Sequence, residues 1–75
     1  MATKNNPGKF DCYENARPDE PMFVLLGRDE SAPDAVYAWI AYRISIGKNR
    51  PGDAQLIEAA ECARDMVQYR ESFQK

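Results

Sequence analysis

The side chains best suited to chemistry stand at the two borders of one apolar run. Met22, Phe23, Val24, Leu25 and Leu26 follow one another, with Asp19, Glu20 and Pro21 before them and Gly27, Arg28 and Asp29 after. Carboxylates and a guanidinium bind phosphates, cations and charged side chains of a partner. Glu20, Arg28 and Asp29 are therefore the candidate binding residues of this region. Paired carboxylates can also run glycosidic acid–base chemistry, but only in a cleft that fixes their separation. A chain of 75 residues offers little material for one. The plainer role of such charges is to solvate the ends of the run and keep it from aggregating.

Other chemistry is narrowed by composition. The chain has no histidine, which removes His acid–base catalysis and the Ser-His and Cys-His nucleophile pairs. Its two cysteines, Cys12 and Cys62, lie far apart and fall short of the four N or S ligands of an ordinary zinc site. Both are expected as reduced thiols, with Cys62 a small core residue. Gly27 and Gly52 stand alone, so there is no glycine-rich phosphate loop. The expectation is a protein that is not an enzyme, with no metal and no cofactor. A net charge of −2 gives no basic face for DNA. No nucleic acid is expected, and Arg43, Lys48 and Arg50 read as a solvated turn, with a nucleic-acid role there the weakest alternative. Residues 1–7 lack the apolar stretch of a signal peptide. No apolar run approaches the ~20 residues of a membrane span, so the expected setting is cytoplasmic, without membrane contact.

Positioning these residues requires a fold. Residues 1–8 have the composition of a disordered tail, and residues 9–75 form a single small domain. Residues 9–13 alternate loosely, with Phe10 and Cys12 on one side, as a short extended piece. Residues 15–20 carry Pro18 and precede Pro21, and read as a turn. The run at 22–26 is bracketed by Pro21 and Gly27, which favours a strand over a short helix. A strand needs a partner for its backbone groups, either residues 9–13 as a hairpin or the same run of a second chain. The second choice makes a homodimer, in which antiparallel pairing sets Glu20 against Arg28 of the other copy.

Two helices follow, at about 32–46 and 53–72. Ser31 is the expected N-cap of the first, with Pro33 and Asp34 in its first turn and Gly47 as its stop. Val36, Trp39, Ile40 and Ile44 share a face at i, i+3, i+4 spacing, which makes Trp39 a core residue. Tyr37 and Tyr42 lie off that face and are candidate interface residues. Asp53 is the expected cap of the second helix, whose stripe is Leu56, Ala59, Ala60, Ala63, Met66, Val67 and Phe73. The fold class expected is α+β, mostly helical: a short N-terminal strand or hairpin packed on an antiparallel two-helix hairpin.

Asp11-Cys12-Tyr13, the stretch from Pro18 to Asp29, Ala32-Pro33, Val36 and Trp39 together resemble small uncharacterised proteins of bacteriophages and prophages. The resemblance covers residues 11–43. It implies a bacterial cytoplasmic setting and an accessory role, and carries no activity. The function expected is a non-catalytic, phage-encoded accessory protein, an adaptor or inhibitor, that binds a protein of the host or the phage, with a homodimer as one expected assembly. The alternative is a small-molecule or nucleotide-binding protein using Glu20, Arg28 and Asp29.

Overall fold

The computed structural model describes residues 3–73, residue 73 in its backbone only. Three helices follow in chain order: α1 (Cys12–Asn15), α2 (Ala32–Ser45) and α3 (Ala54–Phe73). No strand occurs among the described residues, so the expected α+β class is replaced by an all-helical one. The reason is local. Residues 9–13 were to be the partner of the apolar run, but the Asp11 carboxylate accepts from the Tyr13 amide at 3.1 Å and caps α1 instead. Within the chain, the run at 22–26 then has no ladder to join and stays irregular.

The turn before it forms as expected. Glu20 N–H donates to the Arg17 carbonyl at 3.0 Å, and the Arg17 amide donates back to Glu20 Oε1 at 3.0 Å. After the run, Asp29 organises the entry to α2. Its Oδ1 accepts from both the amide (2.9 Å) and the hydroxyl (2.7 Å) of Ser31. Ser31 is the N-cap residue, but its side chain makes no bond to the helix amides; the hydroxyl is engaged backwards by Asp29. Pro33 falls in the first turn, where its missing N–H costs no helical bond.

Helix α2 ends in a Schellman motif. Gly47 has φ +75, its amide donates to the Ile44 carbonyl at 3.1 Å, and the Lys48 amide donates to that of Arg43 at 3.0 Å. Asp53 then starts α3 with its backbone, its carbonyl accepting from Leu56 and Ile57 at 3.0 Å. Its carboxylate faces the other way, into the turn, and accepts from the Arg50 amide at 2.9 Å.

Helices α2 and α3 pack together as a hairpin. The fully buried apolar residues are small: Ala32 and Ala63 at 0% exposure, Leu56 at 2%. Pro33 is buried beside them, and Val36, Ile40, Ile44, Ala59, Ala60 and Met66 are half-buried. This follows the expected stripes except at Trp39, which is exposed, and has Val67 at the exposed edge; the Phe73 side chain expected there lies outside the described residues. The N-terminal segment runs along α3. At Gly8 the φ is +80, a torsion that calls for glycine, and the Glu58 carboxylate lies against it. Gly27 lies against Met66 and Tyr69.

The shape is loose for its mass. The chain exposes 6320 Å², where a compact monomer of this size exposes about 4,700 Å². Its radius of gyration is 13.0 Å against about 11.3 Å for a compact chain of equal length. With a core this thin, volume at the centre has no room to change. Ala63→Leu is expected to destabilise the fold by about 1–3 kcal/mol through overpacking, read as a lower denaturant midpoint. An unchanged midpoint would show that α3 is free to move away from α2.

Candidate functional site

Two surfaces carry the candidate residues. The first is a wide groove of about 1150 Å³ between the N-terminal segment, residues 23–28 and one side of α3. Phe10, Phe23, Leu26 and Met66 give it an apolar lining, with Lys4, Asp11, Arg28 and Asp65 as charged groups. On its outer wall the apolar run is laid open: Phe23 is 86% exposed and Val24 68%, with Met22 and Leu26 about half exposed. The run, expected as a paired strand, lies instead at the surface; only Leu25 within it is half-buried. Cys12 and Cys62 also line the groove as free thiols, one exposed on α1 and one half-buried on α3. Among the described residues no cluster of three or more His, Cys, Asp or Glu could hold a metal.

Two of the three charged residues expected to act together are engaged by their own turns. Glu20 is engaged by the Arg17 amide. Asp29 is engaged by Ser31, and its pKa is lowered from the usual 3.8 first by the Ser31 hydroxyl, then by the Ser31 amide, with a smaller contribution from the charge of Arg70. Arg28 alone of the three lines the groove. Both carboxylates thus hold the backbone on either side of the apolar run.

The second surface lies on α2. Trp39 is 40% exposed, which corrects its assignment to the core. Val36, Ile40 and Ile44 are half-buried on the side of α2 where Trp39 is exposed at the edge. Trp39 sits at the rim, with the Arg43 guanidinium 5.3 Å from its ring centroid, a cation–π pair one helical turn apart. Tyr42 (65% exposed) and Ile46 extend the same stripe, since positions 39, 42, 43 and 46 recur at helical spacing. Tyr37 is about half exposed but stands five residues from Tyr42, about 140° round the helix. The two tyrosines do not share a surface.

Arg43 is fixed from below. Its Nε donates to Asn49 Oδ1 at 2.6 Å, and Asn49 Nδ2 donates to Asp53 Oδ2 at 3.0 Å and to Gln55 Oε1 at 3.3 Å. One half-buried amide thus ties the end of α2 to the start of α3 and orients the guanidinium against Trp39. The Asp53 pKa is lowered by the Arg50 amide first and the Asn49 side chain second. The pairing of Trp39 with Arg43 went unread in the sequence, where Arg43 was grouped with the turn. Its signal is the i, i+4 spacing of a cation and an indole.

Two expectations follow. Trp39→Ala should cost about 1–2 kcal/mol, because only part of the indole is buried, and not the 3–5 kcal/mol of a core tryptophan; denaturant midpoints decide between them. The Asp53 carboxylate has a folded pKa below its ordinary value, so its contribution is complete above the unfolded pKa of about 3.8 and is lost as pH falls through the folded value. Asp29 acts in the same direction. The melting temperature should hold steady from about pH 7 to 5 and drop below about pH 4, with a smaller drop in Asp53→Asn. Equal acid sensitivity in that variant would remove Asp53 as a source.

No family model, curated protein or solved structure matches this chain. No helix among the described residues is long and apolar enough to cross a membrane.

Proposed function

We propose that the chain is a non-catalytic accessory protein whose α2 stripe docks on another protein. The observation that carries this reading is the exposed group of Trp39, Tyr42 and Ile46, with half-buried Arg43 against the indole, on one face of a helix that is anchored at its C-terminal turn. Tryptophan, tyrosine and arginine are the residue types that dominate binding energy at protein interfaces. A helix face held in place loses little conformational freedom on docking, so more of the contact energy appears as affinity. Cationic Arg43, with Lys48 and Arg50 nearby in sequence, suits a partner with an apolar pocket and an acidic rim. The partner proposed is a host or phage protein in the cytoplasm of a bacterial host, in line with the resemblance of residues 11–43 to phage and prophage proteins.

The other reading, a small molecule or nucleotide held by Glu20, Arg28 and Asp29, has less support, because both carboxylates are engaged by their own turns. The test uses the tagged wild-type chain and the variants Trp39→Ala and Tyr42→Ala as baits in bacterial lysate, with captured proteins quantified. Each variant should lose a specific partner by about tenfold or more, as expected for a hot-spot side chain, while keeping helical circular dichroism. Equal capture by all three baits would move the binding surface away from α2.

A further inference from the structure

At the C-terminal end of α2 one cation is oriented by the chain but not neutralised by it. We infer that the terminal edge of the Arg43 guanidinium is a carboxylate-binding position, which receives an Asp or Glu of a peptide segment lying across Trp39 and Tyr42. The inference rests on the reading of the α2 stripe as a docking surface and names the chemistry of its occupant.

The first observation is the geometry of the guanidinium. Arg43 is half-buried, its Nε donates to Asn49 Oδ1 at 2.6 Å, and its plane lies 5.3 Å from the Trp39 ring centroid. Asn49 is held in turn by Asp53 at 3.0 Å and Gln55 at 3.3 Å. The acceptor given to Arg43 is thus a neutral amide. Among the described residues no carboxylate pairs with this cation, and its Nη1 and Nη2 donors meet no acceptor. No buried side-chain nitrogen or oxygen is left without a partner, so both terminal nitrogens are open to the outside. With Nε spent on Asn49, the edge that remains is the one where Nη1 and Nη2 lie side by side. That edge matches the two oxygens of a carboxylate.

The second observation is the distribution of charge around it. Residues 35–52 hold Arg43, Lys48 and Arg50 and no carboxylate, in a chain whose net charge is −2. Asp34 stands in the first turn of α2, about 13 Å along the helix axis from Arg43. Asp53 turns its carboxylate onto the Arg50 amide and the Asn49 side chain. Glu58, the first carboxylate of α3, lies against Gly8. The cationic end of the hairpin is therefore distinct from the acidic remainder, and selects an anionic group on whatever docks there.

The third argument is the cost of covering the cation. A partner that packs on the indole also shields the guanidinium stacked against it. A charge so covered without an acceptor costs more than its pairing returns, so a partner that fits must bring one. A protein carboxylate suits the site better than a nucleic-acid phosphate. Three cations on an acidic chain are few for a polyanion, while Tyr42 and Ile46 beside Trp39 offer apolar contacts to the neighbouring side chains of a peptide.

The test selects a displayed library of random short peptides on the tagged full chain. Enriched peptides should carry Asp or Glu beside Phe, Tyr, Leu or Ile, and should lose binding to Trp39→Ala. The strongest tryptophan-free peptide is then titrated, with the fluorescence of Trp39, the single tryptophan of the chain, as the readout. Exchanging its acidic residue for the matching amide should weaken binding to the wild type by about tenfold or more. The same exchange should matter little to Arg43→Gln, and Arg43→Lys, which keeps the charge but not the paired edge, should fall between. Asn49→Ala, which frees the guanidinium to rotate, should weaken the acidic peptide more than its amide. Unchanged helical circular dichroism separates these effects from poor folding. Peptides that need Trp39 but show no acidic preference overturn the inference and leave the α2 stripe as the docking surface. Peptides indifferent to both Trp39→Ala and Arg43→Gln, or no enrichment above an unrelated bait, count against both readings. An amide peptide that binds the wild type as tightly as the acidic one overturns the inference, as does displacement of the peptide by an oligothymidylate at physiological salt.

Discussion

Two helices joined by a turn share a single seam, and in this chain the seam is made largely of alanine. Ala32 and Ala63 are wholly buried and Leu56 nearly so; the remaining contacts across the hairpin are half-open. Alanine lets α2 and α3 approach closely, and a close approach leaves no volume for large side chains between them. The bulky apolar residues are consequently displaced to the outside. Trp39 goes to the rim of α2, Tyr42 and Ile46 to its open side, and the run at 22–26 to the surface beside α3. The distribution of candidate binding residues follows from the width of that one seam.

A seam so thin contributes little, so polar contacts at the ends of the helices carry a larger share of the definition of the fold. Asn49 connects Arg43 to Asp53 across the turn, Gly47 closes α2 with a left-handed residue, and Asp29 gathers the backbone and hydroxyl of Ser31 before α2 begins. Each is a local device of the kind worth about 1 kcal/mol. Together they fix the direction in which α2 leaves the loop and enters the turn. The same contacts set the functional surface, because Arg43 lies against Trp39 only while Asn49 holds its guanidinium.

The charged borders of the apolar run illustrate how one residue serves two ends. Glu20 and Asp29 accept backbone hydrogen bonds that close the turns on either side, and an Asp or Glu so used is poorly placed to act as a general acid or a ligand. Their charge is not consumed by those bonds.

Local signals in the sequence determined the helices. Pro33 in the first turn, Gly47 at the stop, the Pro51-Gly52 turn and the spacing of Leu56, Ala59, Ala60 and Ala63 place α2 and α3 to within about two residues, because capping and helical periodicity depend on neighbours in the chain. What the sequence could not settle was whatever depends on distant partners. Residues 9–13 and 22–26 read as strands, but a strand exists only if a second one meets it, and the Asp11 cap commits residues 12–15 to α1 instead. Trp39 shares the helical stripe of Val36 and Ile40, yet whether a stripe residue is core or rim is set by the facing helix. Glu20 and Asp29 were legible as charges bordering the run, but that each accepts a bond from the backbone of its own turn depends on how the chain folds there.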